Sequence, residues 1–378
     1  MVEMMMIRRA FRRAARPLRE ILSRWRNRRA IAALFDSSLA DTESVARWQI
    51  LYEQLLATSD EFSVNRLRAD VAARALSLLL IPVGRIGFRN AETFEKLFIL
   101  AEEKKVHILP VNFHHPIPEV ALLDQSLWSH RFDRVLELDA EAQISLIDRL
   151  AKWGDEMAST PATEREAQEN EYRWRNPSFG ALDGVVYHAM IREFRPRRII
   201  EVGAGYSTMI AARAARINGE TRVECIEPFP MSVLTRGFEG LSRLIPSPLQ
   251  SVPLEEFDAL EADDFLFIDS SHVSKVGSDV NRLFFEILPR LKPGVIIHLH
   301  DIFFPRDYPR QWVVEKKIFW NEQYLLMAFL MFNREFEILL ANNYLCTEHE
   351  EKMLRAFPFL PAPYNSVSFW MRRRADQG

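Results

Sequence analysis

Cysteine is scarce in this chain: Cys225 and Cys346 are its whole complement over 378 residues. Two thiols are too few for a disulfide framework or a cysteine zinc site, which fits a reducing compartment. Cys225 reads as core. Long apolar runs are missing as well. Ala75 to Val83 and Tyr324 to Phe332 fall far short of the roughly 20 residues a membrane-spanning helix needs. The amino terminus has no long apolar region followed by a small-residue cleavage site, so it does not read as a secretory signal. A soluble or peripheral protein in the cytoplasm is expected.

Net charge is also small, -3, but it hides an asymmetry. The first 30 residues carry ten arginines against Glu3 and Glu20, so the remainder is clearly acidic. That argues against nucleic acid as a partner of the main body. The basic arm, residues 1–35, is interrupted by Ile7, Phe11, Leu18, Ile21, Leu22 and Trp25. Three readings stay open for it: a solvated tail, a helix lying on an anionic membrane surface, and an organellar presequence.

A third glycine is missing from the stretch that organises the rest. Arg198 to Thr208 reads as a buried strand, a turn containing Gly203, Ala204 and Gly205, and a helix start at Tyr206, Ser207 and Thr208. A dinucleotide-binding turn places its third glycine where this chain has Thr208. Glu201, two residues before the first glycine, would repel a pyrophosphate and suits a cationic ligand. A tight strand-to-helix turn with no ligand is the bland alternative.

Ahead of this turn, residues 36–170 read as mainly helical, with Trp48, Leu51 and Leu55 and then Phe94, Leu97 and Phe98 marking core-facing stripes. Pro116 and Pro118 keep Val106 to Pro118 out of helix, and His114 and His115 there suit a loop over a pocket better than a metal site. Helix resumes from Ala140 to Met157. Residues 171–378 form the α/β part, with a helix from about Asp183 that Pro196 ends.

Beyond the turn, Thr221 to Glu227 reads as a second strand whose terminal carboxylate is placed to accept hydrogen bonds from two ribose hydroxyls. Ser247 to Val252 is expected as the third strand, with Gln250 or Ser251 near an adenine. Asp264 to Asp269 is the fourth and Val295 to Asp301 the fifth, with a helix from about Val276 to Leu291 between them. Both deliver acids to the carboxyl edge of the sheet, where open α/β sheets bind ligands. Phe336 to Leu340 and Ser366 to Met371 read as a closing antiparallel pair with no obvious crossover helix. His298, on the face of His300, reads as a hydrogen-bonded structural residue.

The pattern E-x-G-x-G, with Glu227, Asp269-Ser270-Ser271-His272 and His300-Asp301 following in order, resembles class I S-adenosylmethionine-dependent methyltransferases of the type called methyltransferase domain 24. The resemblance covers residues 172–373 and extends to cation-dependent O-methyltransferases, including macrolide sugar and catechol enzymes. It implies a Rossmann-like sheet of seven strands with an antiparallel last pair, preceded by a mainly helical region. It implies S-adenosylmethionine as cofactor, bound by Glu201, Gly203, Ala204, Gly205, Tyr206, Ser207, Glu227 and Asp269, with Glu201 at the amino-acid end.

Asp269 and Asp301 match metal ligands in this comparison, and His300 falls where an acid is usual. Asp269, His300 and Asp301 are therefore the expected ligands of Mg²⁺ or another divalent cation, with the imidazole weakening the preference for Mg²⁺. His272 falls where some sugar enzymes carry a base, and is expected as a general base beside Asp269, titrating near pH 6.5. Capping of the next helix is its alternative role. The implied reaction is methyl transfer to a hydroxyl of a small molecule, a sugar or another polyhydroxylated metabolite. A non-catalytic cofactor-binding scaffold and a nicotinamide oxidoreductase are the competing readings.

Overall fold

The computed structural model describes residues 91–375 apart from Pro110, Asn112, Asp133, Arg134, Ala362 and Pro363. The basic arm and the stripe of Trp48, Leu51 and Leu55 lie outside the described residues. The chain divides into two compact units, Met1–Pro116 and Ile117–Gly378. In the first, the expected helix is α1, Ala91–Glu103, and the stretch after it has no helix up to Pro118 among the described residues.

The second unit is built on one seven-stranded sheet in the order β3-β2-β1-β4-β5-β7-β6. Strands β1 (Arg198–Val202), β2 (Arg222–Ile226), β3 (Leu241–Ile245), β4 (Phe265–Ile268) and β5 (Ile296–Leu299) run parallel. Strand β7 (Phe369–Arg373) inserts between β5 and β6 (Phe336–Ala341) and is antiparallel to both. The expected sheet, with its antiparallel last pair, is present. Near-continuous Ile, Leu, Val and Phe in β1, β4 and β5 reflect burial on both faces.

Period-two alternation divides those strands between two cores. Ile199, Phe265, Phe267 and Ile296 face one side, with α2 (Ala140–Leu150), α3 (Ala181–Phe194) and α4 (Tyr206–Asn218). Ile200, Val202, Leu266, Ile268, Ile297 and Leu299 face the other, with Leu326 and Leu330 of α5 (Glu322–Met331). Glu201 therefore shares the face of Ile199 and points under α3 and α4. Helix α3 ends where Arg195 turns left-handed, at φ 50°, one residue before Pro196.

Three expectations are corrected. The third strand is Leu241–Ile245, not Ser247 to Val252. Pro246, Pro248 and Pro253 surround the latter segment and remove ladder donors, so it forms a single tight turn at Leu249–Ser251. Its true neighbour was hidden by polar Ser242 and Arg243 on an edge strand. The helix after β4 starts at Asp279 rather than Val276, because Gly277 takes φ 73° and the Ser278 side chain caps the Asn281 N–H at 3.1 Å. Two short helices, Asn342–Glu348 and Glu350–Ala356, lie between β6 and β7 where none was expected. Among the described residues no helix is long and apolar enough to cross a membrane.

Candidate active site

Strand β1 ends in the turn, and its geometry depends on Gly203. At φ 89° this residue sits in the left-handed region, and a Cβ on it would stand 1.8 Å from the Asp269 carbonyl oxygen. No side chain fits there. Gly205 differs: its φ of 179° is extended, and nothing lies within 4 Å of a Cβ built on it. Its bare Cα faces open space at the start of α4, a cradle that a Cβ would fill.

Behind the turn, Glu201 is fully buried. Its Oε1 accepts from the Tyr187 hydroxyl at 2.9 Å, and Oε2 accepts from the Thr208 hydroxyl at 2.5 Å and the Cys225 thiol at 3.4 Å. Burial pushes its carboxyl up to about 7, partly opposed by those donors. The Thr208 oxygen in turn accepts the Gly205 N–H at 3.1 Å. Glu201 thus holds the turn from within. Tyr206 and Ser207, the first residues of α4, are buried too.

Glu227, at the tip of β2, reaches across to the same turn. Its Oε2 accepts the Ala204 N–H at 3.2 Å and its Oε1 the Phe229 N–H at 2.8 Å. The side chain is half-buried and keeps lone pairs for hydroxyl donors. Gln250 is tied elsewhere, donating to the Gly277 carbonyl at 2.8 Å.

The ends of β4 and β5 bring three more side chains together. One ligand atom each from Asp269, His272 and Asp301 lies within 4.8 Å of the others. His272 Nε2 is 3.2 Å from Asp269 Oδ1 and 3.7 Å from Asp301 Oδ2, while Nδ1 is 2.9 Å from Glu322 Oε2 at the start of α5. The backbone builds this: His272 and Asp301 both take φ 57°, and the His272 carbonyl accepts the Asn321 and Glu322 N–H groups. Trp320 lies against the imidazole at 4.2 Å.

The imidazole does not sit at the unperturbed value expected from sequence. Burial lowers its basicity, but hydrogen bonds to Asp269 and Glu322 outweigh this and hold its pKa well above 6.5. Asp269 is held low: burial acts upward, and the His300 and His272 charges overcome it. Asp301 is raised, chiefly by burial.

His300 is adjacent but outside the trio. It is buried against Phe179, with ring centroids 4.8 Å apart, and its Nδ1 has no partner. His298 is structural as expected, with Nε2 2.9 Å from the Ser368 hydroxyl. Glu322, missed from sequence, is 1% exposed and pairs with a histidine fifty positions earlier. The trio suits a divalent cation: two carboxylate ligands and one imidazole whose far nitrogen is oriented by a buried carboxylate, an arrangement common around bound metals. The other Glu322 oxygen is buried without a partner.

A family described as a methyltransferase domain matches residues 200–302. An uncharacterized protein of Archaeoglobus fulgidus is 32% identical over 162 residues, 40% of this chain and 73% of that protein. Among solved structures, the chain is similar to the O-methyltransferase TomG from Streptomyces achromogenes, involved in tomaymycin synthesis and in complex with SAM. The identity is 16%, the TM-score 0.33, and the coverage 67% of this chain and 100% of that one. It is similar also to an O-methyltransferase from Bacillus cereus in complex with SAH, at 14% identity and TM-score 0.31, over 64% and 94%.

Proposed function

Because the chain belongs to one family with its Archaeoglobus relative and has a class I S-adenosylmethionine-dependent methyltransferase fold related to the methyltransferase-domain family, we propose that it methylates a hydroxyl of a small molecule. The observation that carries this reading is the double part played by Asp269. Its carbonyl touches Gly203 in the cofactor turn, and its carboxylate belongs to the trio with His272 and Asp301. A methyl donor cradled at one end and an acceptor oxygen held at the other are then neighbours by construction. Methyl transfer needs little beyond in-line positioning and removal of the hydroxyl proton.

In this reading the open space at Gly205 takes the cofactor, and Glu227 accepts from its ribose hydroxyls. S-adenosylmethionine supplies the methyl group on a sulfonium. Asp269, His272 and Asp301 hold a divalent cation, with Glu322 orienting the ring. A divalent cation held there would lower the pKa of a coordinated hydroxyl so that its proton passes to water, and transfer would leave S-adenosylhomocysteine behind. His272 acts as a ligand and not as the base, since its nitrogens already face Glu322 on one side and two aspartates on the other. One imidazole with two carboxylates favours Mn²⁺, Fe²⁺ or Zn²⁺ over Mg²⁺. The acceptor is a polyhydroxylated metabolite.

A nicotinamide oxidoreductase fits poorly. The Ala204 and Gly205 N–H groups are engaged by Glu227 and Thr208, so a pyrophosphate laid on the turn would lose those donors and meet the Glu227 charge. The test is calorimetry with S-adenosylmethionine, S-adenosylhomocysteine and NAD, followed by mass-spectrometric detection of methyl transfer onto a pool of hydroxylated metabolites. Binding of both sulfur ligands and a product heavier by the mass of one CH₂ are expected. NAD binding alone would defeat the proposal, and sulfur-ligand binding without turnover across the pool would favour a scaffold.

A further inference from the structure

Arg173 is a largely buried cation whose carboxylate partner, Glu164, lies at the surface. Its side chain is 13% exposed. It lies in the segment before α3 and rests its guanidinium on Tyr206, the first residue of α4. The carbon at the centre of the guanidinium is 5.0 Å from the ring centroid, and Nη2 donates to the phenol oxygen at 2.7 Å. Tyr206 follows Gly205 directly, so the ring that carries this charge springs from the residue after the cradle.

Arg192 and Arg198 in the same unit are matched by carboxylates, whereas Arg282 and Arg373 rest on backbone carbonyls. Arg192 donates through Nε and Nη2 to Glu156, and Arg198 through Nε and Nη2 to Glu224, with Glu256 beside it. Arg173 has a neutral phenol and, at 3.3 Å, Glu164, whose side chain is 83% exposed. Such an exposed pair contributes little. The Arg173 Nε is buried with no acceptor. A dry, unpaired guanidinium N–H is costly, and a planar anion with two oxygens is the partner that completes a guanidinium fork.

The segment is built to hold that position. The Asn176 amide donates to the Arg173 and Phe179 carbonyls at 2.9 and 2.7 Å, and its oxygen accepts the Ser178 and Phe179 N–H groups. The Tyr172 hydroxyl donates to the Phe179 carbonyl at 2.8 Å. Arg173 thus projects from a pre-ordered loop, while the 13-residue α4 directs the positive end of its dipole to the same place. Glu201 is withdrawn from the cofactor's amino-acid end, because it is fully buried with its oxygens turned to Tyr187 and Thr208 inside the core. Recognition of that end falls to residues on the open side of the turn.

We propose, resting on the cofactor reading above, that Arg173 binds the α-carboxylate of S-adenosylmethionine, exchanging its exposed contact with Glu164 for a buried one with the ligand. The test is a double-mutant cycle by calorimetry on the full chain, comparing S-adenosylmethionine with decarboxylated S-adenosylmethionine, which lacks only that carboxylate. The natural chain is expected to prefer S-adenosylmethionine by about 10- to 100-fold, the size of a lost charge-assisted hydrogen bond. Arg173→Gln should abolish the preference while leaving affinity for the decarboxylated ligand unchanged. Should Arg173→Gln not fold, Arg173→Lys enters the same cycle, and loss of the planar fork should cut the preference several-fold. A preference retained in full by the variant, or equal weakening of both ligands, overturns the assignment and returns Arg173 to a structural role. Failure of the natural chain to bind either ligand overturns the cofactor reading itself.

Discussion

The Asp269 carbonyl oxygen occupies the place where a Cβ on Gly203 would stand, 1.8 Å away. The turn after β1 and the end of β4 are therefore in backbone contact, and neither moves without the other. Gly203→Ala must displace β4 as well as strain a left-handed residue, and should cost more than about 2 kcal/mol, visible as a lower Tm without ligand. Gly205→Ala meets no protein atom within 4 Å. It should keep the parental Tm and lose S-adenosylmethionine affinity. Equal melting losses in the two variants would contradict the division of roles.

Glu227→Ala should weaken S-adenosylmethionine binding by about 1 to 3 kcal/mol, by leaving ribose hydroxyls unpaired and freeing the Ala204 N–H. Titration calorimetry measures this directly. Unchanged affinity in a folded variant removes Glu227 from the site.

For the cation, EDTA should abolish transfer, and Mn²⁺ should restore it at lower concentration than Mg²⁺. Direct Mn²⁺ binding by calorimetry should be lost in His272→Ala and weakened by roughly 10- to 100-fold in Glu322→Gln, which removes only the negative charge behind the ring. A His272→Ala protein that binds Mn²⁺ normally but turns over slowly would restore the base assignment.

Glu201 makes stability depend on pH. Its folded pKa of about 7 lies above the ordinary 4.5, so the folded state binds more protons between those values. The contribution is full below 4.5 and is lost as pH rises through 7. His188 acts oppositely: burial lowers it to about 4 from 6.5, so its contribution is present above 6.5 and lost as pH falls towards 4. Subtracting the profile of Glu201→Gln from that of the parent isolates the first effect. The difference should change by on the order of 3 kcal/mol between pH 4.5 and 7 in denaturant titrations without ligand. A flat difference would mean that the carboxyl titrates alike in both states.

Strands β1, β2, β4 and β5 were legible because burial on both faces leaves mostly apolar runs, broken only by Glu201, Glu224 and His298, and Gly203 because a reversal after such a strand needs a residue without Cβ. Strand β3 was not, since an edge strand with Ser242 and Arg243 has no such run. His272 and Asp301 could be placed at the sheet edge from their strand positions. Their environment could not, because it depends on Glu322, which reaches His272 through the turn at Asn321 and not through any local spacing. Arg173 gave no signal for a similar reason: its partner Tyr206 lies 33 positions away.

Strand β7 sits between β5 and β6 although it is made after both. The edge of β5 therefore stays unpaired until residues 369–373 emerge from synthesis. Asp183 waits on the same event, since its Oδ1 accepts from the Ser366 and Ser368 hydroxyls and the Val367 and Ser368 N–H groups. A nascent chain stopped before residue 366 carries every residue of the candidate site yet leaves a buried carboxylate bare and a central strand open to pairing with other chains. Assembly of the second unit is gated by strand β7, and the exposed edge of β5 is the aggregation hazard of the unfinished protein.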